Sequence, residues 1–95
     1  MSDDPTTLRM KIEGQVQGVG FREFAVFEAN ARSLIGWVRN RSDGTLEIVC
    51  SGPQKDVEAF VGTCMRGPPG ARVKNVEMGP AEVPDAIGFR RRPTV

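Results

Sequence analysis

The fold is decided by one stretch near the start of the chain: Leu8-Arg9-Met10-Lys11-Ile12-Glu13-Gly14-Gln15-Val16-Gln17-Gly18-Val19-Gly20-Phe21-Arg22. Leu8, Met10 and Ile12 alternate with Arg9, Lys11 and Glu13, the period-two signature of a half-buried strand. Gly14 to Gly20 holds three glycines in seven residues and reads as a loop. From Phe21 to about Ser33 the chain has strong helix formers and neither Gly nor Pro. Its broad apolar face (Phe21, Phe24, Ala25, Val26, Phe27, Ala29, Ala31) must pack closely on something.

Working outward, residues 1–7 are polar and acidic and read as a disordered lead. After the first helix, Gly36-Trp37-Val38 opens a second strand. Arg41-Ser42-Asp43-Gly44 is a turn with Asp-Gly as its signal, and Leu46, Ile48 and Cys50 alternate with Glu47 and Val49 in a third strand. Gly52-Pro53 starts a second helix, with Pro suited to the first helical position. Val57, Phe60, Val61, Cys64 and Met65 form its amphipathic stripe, and Gly67-Pro68-Pro69-Gly70 ends it. Ala71 to Met78 is a fourth strand, bulged because Val73 and Val76 are three apart. Gly79 to Gly88 is a loop and Phe89 to Arg92 a short last strand. Trp37, Phe60, Met65, Met78 and Phe89 are assigned to the core. This order predicts an α+β, ferredoxin-like βαββαβ sandwich in one domain over residues 8–95. Two helices cover one face of a mainly antiparallel four- to five-stranded sheet.

Composition narrows the chemistry. The 95 residues suffice for one small domain, and 13 basic against 12 acidic residues leave a net charge of +1. That balance, with no row of strand aromatics to stack on bases, argues against nucleic acid. The chain has no histidine, which excludes Ser-His-Asp and Cys-His catalysis and an imidazole base. Cys50 and Cys64 are too few and too far apart for a zinc site and read as buried thiols. No signal peptide and no long apolar run is evident, so the expectation is a cytoplasmic protein that does not engage a membrane.

The Gly14–Gly20 loop admits two readings. Glycines before a helix N-terminus let backbone N–H groups converge on an anion such as phosphate, with Arg22 forking onto its oxygens. They equally serve a plain turn that needs positive φ, with Arg22 a solvated residue. The loop is neither a Walker loop nor a dinucleotide fingerprint, because no Lys-Ser or Lys-Thr follows and the last glycine is replaced by Glu23. Asn40 is either a turn-flanking residue bonding its own backbone or a carboxamide able to hold a water.

Read together, the two segments resemble the acylphosphatase family. Its pattern V-Q-G-V-x-F-R is met by Val16-Gln17-Gly18-Val19-Gly20-Phe21-Arg22, and G-W-V-x-N-x-x-D-G by Gly36-Trp37-Val38-Arg39-Asn40-Arg41-Ser42-Asp43-Gly44. The similarity runs from about Leu8 to Arg92. It implies the ferredoxin-like fold and hydrolysis of acyl phosphates to carboxylate and phosphate. It further implies that Gln17, Gly18, Val19, Gly20, Phe21 and Arg22 bind the phosphate, with Arg22 and Asn40 catalytic and Asn40 orienting the attacking water. No metal or cofactor is expected, and inorganic phosphate is expected as product and inhibitor of a monomer.

The chain departs from the family at Arg41 and Ala25, each commonly Thr, and at Ser33, commonly the glycine that ends the first helix. Ser33 predicts a different helix end. The run Arg90-Arg91-Arg92 is read as an edge strand whose charges deter pairing, with a basic strip steering acidic substrates as the alternative. Two other functions compete with the enzyme: a binding module that keeps the cradle without hydrolysis, and a front domain of larger maturation proteins. Intact Arg22 and Asn40 weigh against the first and the chain length against the second.

Overall fold

The alternation at Leu8, Met10 and Ile12 forms β1, which runs Thr6–Gln15 in the computed structural model, whose described residues are 5–95. The strand begins at Thr6, inside the stretch expected to be a disordered lead; residues 1–4 of that lead lie outside the described residues. It also absorbs Gly14 and Gln15, so the loop starts at Val16. Gly14 belongs to the sheet, and the neighbouring strand passes so close that a Cβ there would strike the Arg72 carbonyl oxygen. The remaining elements are α1 (Phe21–Ala31), β2 (Ile35–Asn40), β3 (Leu46–Gly52), α2 (Gln54–Arg66), β4 (Arg72–Pro80) and β5 (Phe89–Arg91). Pro53 is the N-cap of α2, one place before the position expected for it.

The five strands make one sheet in the order β4-β1-β3-β2-β5. All neighbours are antiparallel except β2 and β5. The bulge expected in β4 is present: Glu13 faces Asn75 and Gly14 faces Val73, which leaves Lys74 as the extra residue. Both helices cover one face. Met10, Ile12, Val38, Leu46, Ile48 and Cys50 from the sheet meet Phe21, Ala25 and Ala29 of α1 and Val57, Phe60 and Cys64 of α2. Each large apolar side chain fully buried this way contributes about 1.5–3 kcal/mol relative to exposure, so this interface dominates the stability. Ala25 is wholly buried in it, a packing position.

Several assigned core residues are elsewhere. Met65 and Met78 are 52% and 54% exposed, and Phe27 is 72% exposed. Trp37 lies on the open face of the sheet, with the guanidinium groups of Arg39 and Arg92 each 4.7 Å from its ring centre. Phe60 and Phe89 are core and meet edge-on at 5.6 Å.

Edge strand β5 is held to α1 by Asn30. Its carboxamide donates to the Phe89 carbonyl (3.1 Å) and accepts from the Phe89 N–H (3.0 Å). The end of α1 does not differ as expected from Ser33. The Leu34 N–H donates to Ala29 O and the Ser33 N–H to Asn30 O, both at 3.0 Å, which is a complete Schellman closure. Ser33 takes the left-handed position itself, with φ of 57°. Ser33→Gly relieves a Cβ clash worth about 1 kcal/mol and raises the urea midpoint; an unchanged midpoint would show that the serine is unstrained.

On the open face, Glu47 is buried under three arginines. Its carboxylate accepts from Arg9, Arg39 and Arg41 at 2.5, 2.7 and 3.0 Å. Burial pushes its pKa up, but the three hydrogen bonds together outweigh burial and hold it below the usual 4.5. The stability from this cluster is therefore complete above 4.5 and is lost as pH falls through the lower folded value. In thermal melts, wild type is expected to lose Tm on acidification more steeply than Glu47→Gln. The variant is expected to start lower at neutral pH, where three guanidinium groups lose their shared counter-charge.

Candidate active site

The end of β1, the end of β2 and the start of β3 lie at the same edge of the sheet, because Ile12 and Asn40 both face Leu46. The loop leaving β1 crosses that edge to start α1 over β2 and β5. Along Gly18, Val19 and Gly20 the sign of φ alternates: the two glycines are at 76° and 79°, and Ser33 is the one non-glycine with positive φ among the described residues. Such alternation turns successive N–H groups toward one concavity. No other atom approaches the sites of the missing Cβ atoms of Gly18 and Gly20, so the requirement there is conformational. Gly20 is also the N-cap of α1, and no side chain caps that end. The first-turn N–H groups and the positive end of the helix dipole are thus left for something outside the helix.

The concavity is a cavity of about 140 Å³. Of the residues the sequence singles out, Gly18, Gly20, Phe21, Arg22 and Asn40 line it, together with Val16. Gln17 and Val19 do not. The Gln17 side chain instead turns away and donates to the Arg41 and Thr45 carbonyls at 2.8 and 2.9 Å, which ties the loop to the β2–β3 turn. That turn is internally fixed: Thr45 donates to the Asp43 carboxylate through its N–H (3.0 Å) and hydroxyl (2.6 Å). Those bonds lower the Asp43 pKa, the hydroxyl bond most.

Two features of the lining bear on chemistry. The Arg22 guanidinium has no carboxylate within ion-pair distance among the described residues. Asn40 Oδ1 is the one buried side-chain polar atom left without a hydrogen-bond partner among those residues. It does not bond its own backbone as a turn-flanking asparagine would. A buried orphan acceptor costs about 1–3 kcal/mol unless something satisfies it.

The sequence reading missed two lining residues, Glu23 and Arg91. The signal was present in parity: Arg91 is two residues after the buried Phe89 on β5, so it shares the helix side of the sheet, whereas Arg90 and Arg92 face away. The three arginines accordingly do three things. Arg90 donates to the Ile87 carbonyl, Arg91 lines the cavity and Arg92 stacks on Trp37. Arg41 is not at the cavity, because its guanidinium is taken by Glu47. Cys50 and Cys64 are buried and unpaired, and burial pushes the Cys50 thiol up to about 12 and the Cys64 thiol higher still. Among the described residues no three His, Cys, Asp or Glu side chains gather as metal ligands, and no helix is long and apolar enough to cross a membrane.

Comparison with known proteins places this geometry in a family. Residues 8–91 match the family model for acylphosphatase. A Rhodospirillum rubrum acylphosphatase is 45% identical over 94% of this chain and 98% of its own. The solved acylphosphatase of Coxiella burnetii superposes with a TM-score of 0.88 at 36% identity, covering 94% of each chain. The same fold also stands inside a longer chain: T. kodakarensis HypF matches with a TM-score of 0.80 at 29% identity over 96% of this chain and 12% of its own. With both motifs meeting at one cavity and the match running nearly end to end, the chain belongs to the acylphosphatase family.

Proposed function

We propose that the chain hydrolyses the carboxyl–phosphate bond of acyl phosphates, giving a carboxylate and inorganic phosphate, in the cavity between Arg22 and Asn40. The reaction class follows from the family. The assignment of roles rests on one observation above all: Asn40 lines this cavity with Arg22, and its carboxamide oxygen has no hydrogen-bond partner. With its carboxamide turned to the cavity, Asn40 can hold a water and aim it at a phosphorus seated on the loop.

The N–H groups of the Gly18–Arg22 segment and the Arg22 guanidinium receive the phosphoryl oxygens. Gln17 serves the cradle by anchoring it rather than by touching the anion, and Val19 supplies backbone alone. Attack forms a bond from the water oxygen to phosphorus while the bond from phosphorus to the acyl oxygen breaks. Its electron pair leaves as a carboxylate, the conjugate base of an acid with pKa about 4. That group departs unprotonated, so no general acid is required. One proton of the attacking water stays on its oxygen and the other passes to a phosphoryl oxygen, giving dihydrogen phosphate, which loses a proton to solvent near neutral pH. A loose phosphoryl-transfer transition state asks mainly for positioning and charge stabilisation, which suits a chain without histidine. The same donors make inorganic phosphate a competitive inhibitor. The enzyme is read as metal-independent, monomeric and cytoplasmic; the free thiols of Cys50 and Cys64 suit a reducing compartment.

Benzoyl phosphate hydrolysis in the presence of chelator tests the reading. Arg22→Ala is expected to lose at least ~10²-fold in kcat/KM, and Arg22→Lys not to restore it, because an ammonium cannot fork onto two oxygens. Near-normal turnover by Arg22→Lys would remove the bidentate role. Asn40→Ala is expected to lose most turnover while still binding inorganic phosphate. If phosphate binding disappears as well, Asn40 is structural and not a water-holding residue.

A further inference from the structure

We infer that Arg91 is a second phosphate-binding guanidinium of the cradle, with Glu23 as its competing partner. The inference rests on reading the cavity as the phosphate site, and it reaches a residue that lies outside both sequence motifs. Arg91 faces Val38 in the parallel β2–β5 pair. Val38 and Asn40 are two apart on β2, so Arg91 and Asn40 emerge on the same side of adjacent strands, beneath the start of α1. Both line the cavity with Arg22. Hydrogen bonds to the main chain on each side of Arg91 fix its origin: the Asn30 carboxamide holds Phe89, and the Arg92 N–H donates to Val38 O at 2.8 Å.

The present partner of Arg91 is weak. Its Nη1 is 3.5 Å from Glu23 Oε1, and the two side chains are 47% and 78% exposed. A pair so exposed and so long is easily exchanged. A phosphate in the cavity carries nearly two negative charges, against the single charge of Glu23, and so competes for the guanidinium. With Arg91 added to Arg22, two guanidinium charges match it. Glu23 has a place in this account. It lies in the first turn of α1, where a carboxylate suits the helix dipole but repels a phosphate. Pairing with Arg91 neutralises it, and it competes with phosphate for Arg91, which favours release of the product.

The test is calorimetric titration of the whole chain with inorganic phosphate, beside kcat and KM for benzoyl phosphate. Arg91→Leu is expected to weaken phosphate binding and raise KM by roughly 3- to 10-fold at low ionic strength. KM should rise more than kcat falls, Tm should hold, and the loss should shrink in high salt. Arg91→Lys is expected to recover most of it, since charge at this position matters more than the fork. Glu23→Gln is expected to tighten phosphate binding. Unchanged phosphate affinity in Arg91→Leu, or a loss that salt does not reduce, overturns the inference. The two readings fail separately: a chain that binds phosphate through Arg91 yet hydrolyses nothing loses only the proposed activity, and one that hydrolyses regardless of Arg91 loses only this inference.

Discussion

The site depends on one side chain that does not line it. Gln17 donates both of its amide hydrogens to carbonyls of the β2–β3 turn. The loop it belongs to leaves β1, and Asn40 ends β2, two strands away across β3. Two strand spacings are about 10 Å, too far for backbone pairing to bring them together. The carboxamide closes that gap and sets the height of the loop above Asn40. Its acceptors are fixed in turn by the Asp43–Thr45 contacts and by the pairing of Arg41 N–H with Thr45 O at 2.9 Å. A distortion of the Asp-Gly turn would therefore reach the cradle without touching it.

Charge is sorted by the two faces of the sheet. On the open face Arg9, Arg39 and Arg41 converge on Glu47, while Arg92 and Arg39 lie against Trp37. These guanidinium groups are committed to a buried carboxylate or an aromatic face. On the helix face, Arg22 has no counter-charge among the described residues and Arg91 has only the long contact to Glu23. A chain of net charge +1 thus presents two lightly compensated guanidinium groups at one cavity, while Arg9, Arg39 and Arg41 on the opposite face are committed to Glu47. Arg41 shows the sorting most clearly: it follows Asn40 directly, yet parity sends it to Glu47 instead of the cavity.

Much of this was legible in the sequence. Period-two alternation gave β1 and β3, the Asp-Gly pair gave the hairpin, and the three-residue spacing of Val73 and Val76 gave the bulge. The motif residues Gly18, Gly20, Arg22 and Asn40 meet at one cavity. The core misassignments share a cause: hydrophobicity does not report whether a residue's position on its element is covered by another layer. Trp37 is apolar enough for the core, but it is flanked in sequence by Gly36 and Val38, which already occupy the helix side. Met65 and Phe27 extend apolar stripes beyond the arc that the sheet covers, and Met78 lies on the outer strand β4. Ser33 misled because composition argues propensity, while the Schellman hydrogen bonds and the burial of Leu34 impose the left-handed conformation whatever residue stands there. Arg91 was hidden inside a run of three, in which alternate residues face opposite sides.

What remains is what holds the cradle in shape. Each of its features is unfavourable in isolation. The glycines at 76° and 79° cost chain entropy on folding. The start of α1 has no side-chain cap, where a capping residue would add about 1 kcal/mol. Asn40 Oδ1 is buried without a partner. All three lie at the rim of one tightly packed element: Phe21, the first residue of α1, is 2% exposed, and Ala25 and Ala29 are wholly buried. Burial of that single helical face offsets the cost of the rim and prevents it from relaxing into a better-bonded loop. The loop N–H donors and Asn40 are thereby held in place together, and an anion that accepts from those donors binds without having to reorganise the chain.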